Sequence, residues 1–216
     1  MAVSRREANK IKCRQDILKA SRRLFKEKGY DNTMIEDVAE KADISKATLY
    51  NYFPNKESLL VGTMDDQIEA TRRYIRDAEC TKDDIASGSA DMAPSTNSET
   101  TSYDKIKLAL EFLVLDSRQF IDVSRRILYL NACETSPMFG KVNEVKEMFR
   151  ELTDKAKDEG VFKNDIHSIE IVELLMSIYL NSQFQWKDIE ELTEEQCRQR
   201  IERMLEITLS GCFKHQ

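Results

Sequence analysis

The stretch from Thr33 to Leu60 constrains this chain more than any other. It reads as two short helices, a tight turn and the start of a third helix. Thr33 with Glu36 three residues on has the form of a capping box. Ile35, Val38, Ala39 and Ala42 then recur at helical spacing and give one narrow apolar face. The first short helix stops near Ala42 and Asp43. Ser45 is placed to cap a second helix running from Lys46 to Phe53. Pro54 ends it, because the residue before a proline is pushed out of helical geometry, and Asn55 can cap the third helix. Two short helices joined by so few residues predict a helix-turn-helix over about residues 34–53. In the second helix Leu49 and Phe53 lie four apart and face inward. Lys46, Ala47, Thr48, Tyr50 and Asn51 form an outer face that is small, polar or hydroxyl-bearing and carries no acid, as suits a helix lying in a major groove.

These residues resemble a known family. Thr33, Ile35, Val38-Ala39, Ala42, Ser45, Thr48-Leu49-Tyr50, Tyr52-Phe53, Asn55-Lys56 and Leu59-Leu60 are similar to the DNA-binding domain of the TetR family of bacterial transcriptional regulators. The preceding helix, with Ile17-Leu18, Ala20, Leu24-Phe25 and Gly29-Tyr30, fits the same pattern. The resemblance covers about residues 1–60. It implies an all-α fold of about nine helices. A three-helix DNA-binding head is joined by a long helix to a C-terminal bundle, residues 61–216, that binds a ligand and dimerises. It also implies roles. Lys46 and Thr48 hydrogen-bond base edges, Ala47 meets a thymine methyl, and Asn51 completes the face. Tyr50, Tyr52, Lys56 and Thr33 contact phosphates, which position a protein without reading sequence.

Charge agrees with that division. The net charge is −6, yet residues 1–28 hold ten Lys or Arg against three Asp or Glu, and residues 1–60 hold thirteen against nine. The first 60 residues therefore carry +4 and the remainder −10, the asymmetry of a nucleic-acid-contacting end on an acidic body. Residues 1–9 are an expected mobile arm, ahead of a first helix over residues 10–28 in which Ile11 joins the inward stripe; Arg5, Arg6, Lys10 and Lys12 are placed to touch phosphates or a minor groove, or else are plain solvated charge.

From Asn55 to about Glu79 one long helix is expected. Residues 80–102 hold nine Ser or Thr among 23 and predict a flexible loop. Further helices are expected from Tyr103 to about Leu115, Arg118 to about Glu134, Met138 to Glu159 behind a Ser136-Pro137 start, Ile166 to about Lys187, and Glu194 to Cys212. Thr193 and Gln196 form a capping box for the last. The final two helices are the expected dimerisation element, through Ile171, Leu175, Ile178, Ile201, Leu205 and Leu209. Met64, Phe112, Tyr129, Asn131, Phe149, Tyr179 and Gln183 are the candidates for lining an effector pocket; each alternatively serves as plain core.

Other chemistries find no support in the sequence. There is no Gly-rich phosphate loop, nucleophile elbow or HExxH, so no enzyme, cofactor or metal is expected. Cys13, Cys80, Cys133, Cys197 and Cys212 are scattered without a CxxC pair, which fits a reduced, cytoplasmic protein. No apolar run reaches the length of a membrane span. The expected function is a homodimeric repressor that leaves a near-palindromic operator when an unidentified small molecule binds. The alternatives are an activator or corepressor-dependent repressor of the same fold, or a helical interaction module with a vestigial head.

Overall fold

The computed structural model describes residues 4–85, 100–132, 135–136 and 140–214. Among them are nine helices: α1 (Arg5–Lys28), α2 (Ile35–Lys41), α3 (Lys46–Tyr52), α4 (Lys56–Ile85), α5 (Ser102–Arg118), α6 (Ile121–Asn131), α7 (Val142–Asp158), α8 (Ser168–Phe184) and α9 (Glu194–Leu209). The only extended pairing among the described residues is an isolated antiparallel bridge between Phe162 and Phe213. None of the described helices is long and apolar enough to cross a membrane.

The helices fall into two compact units. The first comprises Met1–Asp66 with Gln119–Lys141, and the second Gln67–Arg118 with Val142–Gln216. Thus α4 belongs to the first unit up to Asp66 and to the second from Gln67, and α6 lies in the first.

The first unit is built around Ile17, Leu18, Leu24 and Phe25 of α1, Val38 of α2, Leu49 and Phe53 at α3, and Leu59 and Leu60 of α4, all at most 5% exposed. Ile35 is only half-buried. Helix α1 starts well before residue 10. Ser4 is its N-cap, accepting a hydrogen bond from the Glu7 amide at 3.2 Å. The expected arm is therefore the first turns of a helix, with Arg5, Arg6, Lys10 and Lys12 exposed along it. Ile11 sits among them, 47% exposed rather than inward. At the other end Gly29 has φ 77°, a conformation that costs a Cβ-bearing residue strain. A second glycine matters for packing. At Gly62, inside α4, a Cβ would lie 2.8 Å from both Leu18 Cδ2 and Phe53 Cε1. The helix comes this close to α1 and Phe53 only because no side chain intervenes.

In the second unit α5 packs on α7, α8 and α9, and α8 packs on both α7 and α9. Helix α4 continues through Ile85, six residues into the expected loop; residues 86–99 of that loop lie outside the described residues. Helix α7 begins at Val142 after a turn in which Gly140 has φ 76°; the expected start at Pro137 and Met138 lies outside the described residues. Helix α8 starts at Ser168, two residues later than the expected Ile166. Its N-cap is His167, whose amide donates to Glu170 Oε2 at 2.8 Å. The Thr193–Gln196 box does open α9, with reciprocal bonds of 3.2 and 2.8 Å.

The dimerisation residues require correction. Ile171, Leu175, Ile178, Ile201 and Leu209 are 0% exposed and Leu205 1%, all within one chain. They are core, because the apolar residues of α8 and α9 meet each other and α5 first. The apolar side chains left outside are Ile169, Leu180 and Phe184 of α8 and Ile207 of α9, 40–62% exposed.

Candidate nucleic-acid interface

The turn between α2 and α3 is closed by the backbone. The Ile44 amide donates to Ala39 O at 3.0 Å and the Asp43 amide to Glu40 O at 3.1 Å, the two bonds of a Schellman motif. That motif needs a left-handed residue, and Asp43 supplies it at φ 54°. Ser45 then caps α3, its Oγ accepting from the Thr48 amide at 3.1 Å. Phe53, at φ −137° and ψ 98°, leaves the helix just before Pro54. Asn55 Oδ1 accepts from the Ser58 amide at 2.8 Å and opens α4.

Caps at both ends and Leu49 beneath fix which side of α3 faces out. Lys46, Ala47, Tyr50 and Asn51 are exposed, with Tyr50 at 44%. Thr48 is half-buried, and its hydroxyl lies 2.8 Å from Ser45 Oγ. Lys46 Nζ is 3.8 Å from Glu36 Oε1 in the first turn of α2. Tyr52 is half-buried; desolvation and then a hydrogen bond with Cys13 of α1 push its phenol above the ordinary range. It spends part of its surface on α1.

Two phosphate assignments change on this geometry. Thr33 is 2% exposed, and its hydroxyl donates to Gly29 O at 2.8 Å and Leu24 O at 3.3 Å. It closes the end of α1 and is buried away from any phosphate. It does not cap α2 either: Met34 is the N-cap, and its amide donates to Asp37 Oδ2 at 3.4 Å. Lys28 binds the same oxygen at 2.9 Å and holds the Asp37 carboxyl below the usual carboxylate range. Lys56 is half-buried, with Nζ donating to Asp31 O at 3.2 Å and lying 4.2 Å from the centre of the Tyr30 ring. Burial lowers its ammonium pKa. Lys56 thus ties the start of α4 to the turn after α1. Arg126 of α6 approaches the same ring, at 5.6 Å.

The residues that sequence reading missed here are Glu36, Asp43 and Gly62. Asp43 had a readable signal, since Asp tolerates the left-handed region better than most residues. Gly62 had one as well, a glycine inside an apolar helical stripe.

The proposed pocket residues are divided between the two units. Met64, Tyr129 and Asn131 belong to the first unit, and Phe112, Phe149, Tyr179 and Gln183 to the second. Tyr129 is 71% exposed and lines no interior. Phe149 is fully buried core. The second unit does hold a buried polar group. Gln183 Nε2 donates to Ser117 Oγ and Ser182 Oγ, both at 2.9 Å, and all three residues are at most 1% exposed. Among the described residues no group of three or more His, Cys, Asp or Glu is placed to hold a metal ion.

Known proteins share both the head and the fold. Residues 17–62 match the profile of the bacterial regulatory proteins of the tetR family. The HTH-type transcriptional regulator YuxN of Bacillus subtilis is 36% identical over 55 residues, covering 26% of this chain and 19% of that protein. The HTH-type transcriptional repressor KstR2 of Rhodococcus jostii is 26% identical over 159 residues, 71% of this chain and 69% of that protein. Among solved structures, the TetR-family repressor FadR of Thermus thermophilus, in complex with lauroyl-CoA, superposes with a TM-score of 0.61 at 18% identity, over 94% of this chain and 96% of that one.

Proposed function

We propose that this chain, a TetR-family transcriptional regulator, acts in the cytoplasm as a homodimeric, ligand-responsive repressor that binds a near-palindromic operator. The observation that carries the reading is the outer face of α3. Lys46, Ala47, Tyr50 and Asn51 stand exposed on a capped helix whose inner residue, Leu49, is 1% exposed. Two such helices, one per subunit, enter successive major grooves of the duplex. In this reading residues 1–60 read DNA, and residues 61–216 bind the effector and a second copy.

The surface for that second copy is the outer arc of α8. At 3.6 residues per turn, Ile169, Glu173, Ser177, Leu180 and Phe184 fall within about 80° of arc. Ile207 adds a fourth exposed apolar residue, on α9. Paired across a two-fold axis, these helices bury the apolar groups that a single chain leaves in water. The effector is a small molecule taken up by the second unit, where the Gln183–Ser117–Ser182 group offers polar contacts within an apolar bundle. FadR, which shares the fold, is described with lauroyl-CoA, and KstR2 is a repressor; both support an effector-released repressor. Effector binding favours a conformation whose reading heads no longer match the operator spacing.

The test is a selection from random duplex DNA with the purified full-length protein. The expected product is a near-palindrome with half-sites about one helical turn apart, bound with an affinity that falls steeply as salt rises. Enrichment of no motif by a folded dimer sinks the proposal.

A further inference from the structure

We propose that Glu36 is a base-reading residue which, together with Lys46, selects a G·C pair in each half-site; the inference rests on the DNA-binding reading above. Glu36 lies in the first turn of α2 and Lys46 is the first residue of α3. Their charged atoms are 3.8 Å apart, with the side chains 36% and 67% accessible. The sequence places two acids side by side here, and the structure separates their roles. Asp37 is turned inward onto Lys28 and the Met34 amide, where it starts α2. Glu36 has Lys46 as its partner, at the edge of the exposed α3 face.

Stability does not account for that pair, because ion pairs this exposed contribute little. Nor does simple affinity, because a carboxylate on a surface that meets phosphates works against binding. Base chemistry does account for it. Lysine only donates and ionised glutamate only accepts. In the major groove a G·C pair presents two adjacent acceptors, guanine N7 and O6, followed by the donor amino group at cytosine N4. An ammonium beside a carboxylate matches that order. On an A·T pair the single donor, adenine N6, lies between two acceptors that repel the carboxylate. Within the first turn of α3 the other side chains compete little for that base pair: the Thr48 hydroxyl is engaged by Ser45 at 2.8 Å, and Ala47 has no polar atom in its side chain. Glu36 therefore meets the strand opposite the one Lys46 contacts, at the same base pair.

The experiment is the random-duplex selection repeated with full-length Glu36→Gln, Glu36→Ala and Lys46→Ala, with circular dichroism confirming that each is folded. The wild type is expected to enrich a G·C pair at one symmetric position in both half-sites. Glu36→Ala should weaken discrimination at that position alone, the wrong-base penalty falling at least about fivefold to the part that Lys46 supplies at guanine N7 and O6. Glu36→Gln should move the preference there towards A·T, since the side-chain amide of glutamine donates to adenine N7 through its nitrogen and accepts from adenine N6 through its oxygen. Lys46→Ala should weaken the guanine preference at the same position. If the Glu36 variants keep the wild-type motif everywhere and merely bind more tightly in low salt, Glu36 is only a repulsive charge and the proposal falls. If the wild type itself enriches no motif, the DNA-binding reading fails first and takes this inference with it.

Discussion

A methyl group added at Gly62 meets side chains that cannot withdraw. Its carbon would lie 2.8 Å from Leu18 Cδ2, 2.8 Å from Phe53 Cε1 and 3.3 Å from Phe53 Cζ, where carbon atoms prefer about 3.5–4.0 Å. Leu18 is 1% exposed and Phe53 3%, so each is walled in by other core residues. Two effects oppose one another in Gly62→Ala. Alanine is better than glycine in a helix by about 1 kcal/mol. Overpacking a close-packed core costs about 1–3 kcal/mol. The second prevails because the contacts come from two elements at once, and the variant should be destabilised by about 1 kcal/mol. Amide hydrogen exchange followed by mass spectrometry reads this locally. Peptides from α1 and α3 should lose protection by roughly fivefold, and peptides from α9 should not change. Trimming one neighbour supplies a control. Leu18→Val alone should cost about 1 kcal/mol, but the double variant should cost less than the sum of the two single changes. If Gly62→Ala instead raises protection in α1 and α3, or if the two changes simply add, close approach is not what keeps a glycine here.

Asp43→Gly should stabilise the first unit by about 0.5–1 kcal/mol in urea unfolding, since Asp43 holds φ 54° and only glycine takes that region without strain; a loss of stability would mean the Asp43 side chain contributes more than its backbone costs. Phe184→Glu combined with Ile207→Glu alters two side chains that are 50% and 62% exposed, so each chain should stay folded while sedimentation shows monomers; an unchanged dimer mass would move the interface elsewhere. Glu111 is half-buried on α5, and burial raises its carboxyl above the ordinary value of 4.5 despite Arg198 nearby. A raised acid binds protons more tightly folded than unfolded, so wild-type stability should fall as pH rises from about 4.5 through the folded value. Glu111→Gln, neutral throughout, should gain on wild type across that window in thermal melts; a parallel pH dependence in the two proteins would refute the assignment.

The head was legible because its boundaries are set by short-range chemistry. Ser45, Pro54 and Asn55 each act within three or four residues, and each acts in the structure as its type dictates. The start of α1 was written in the same language, Ser4 followed by Glu7, but a run of positive charge around it reads equally as a loose arm. Helix α8 failed for a different reason. It is apolar on nearly every side, so periodicity finds a helix without saying which side is inward. The structure buries Ile171, Val172, Leu175, Met176, Ile178 and Tyr179 and leaves Ile169, Leu180 and Phe184 outside. One sequence signal does separate the two arcs. Glu173 shares the arc of Ile169, Leu180 and Phe184, and an unpaired acid does not face a core. The pocket residues were not legible at all, because a buried aromatic in a helical bundle has the same pattern whether or not a ligand ever touches it.

The pose of α3 is set by these placements rather than by α3 itself. A helix of seven residues is too short to persist in water. What holds it is the Asp43 turn before it, Leu49 below it, the buried Phe53 close against Gly62 behind it, and the Asn55 cap after it. Base recognition requires side chains placed to within fractions of an ångström, so the sequence preference of the head is a property of the core beneath it as much as of its exposed face. Gly62→Ala therefore has a second consequence. By pressing on Phe53 it should shift α3 and, on the proposed function, lower operator affinity, although Gly62 itself is no part of the face proposed to meet DNA. The loss should be similar for every base in the half-site, since all of α3 moves together. A loss confined to one base position would instead mean that individual side chains of α3 adjust independently of the core.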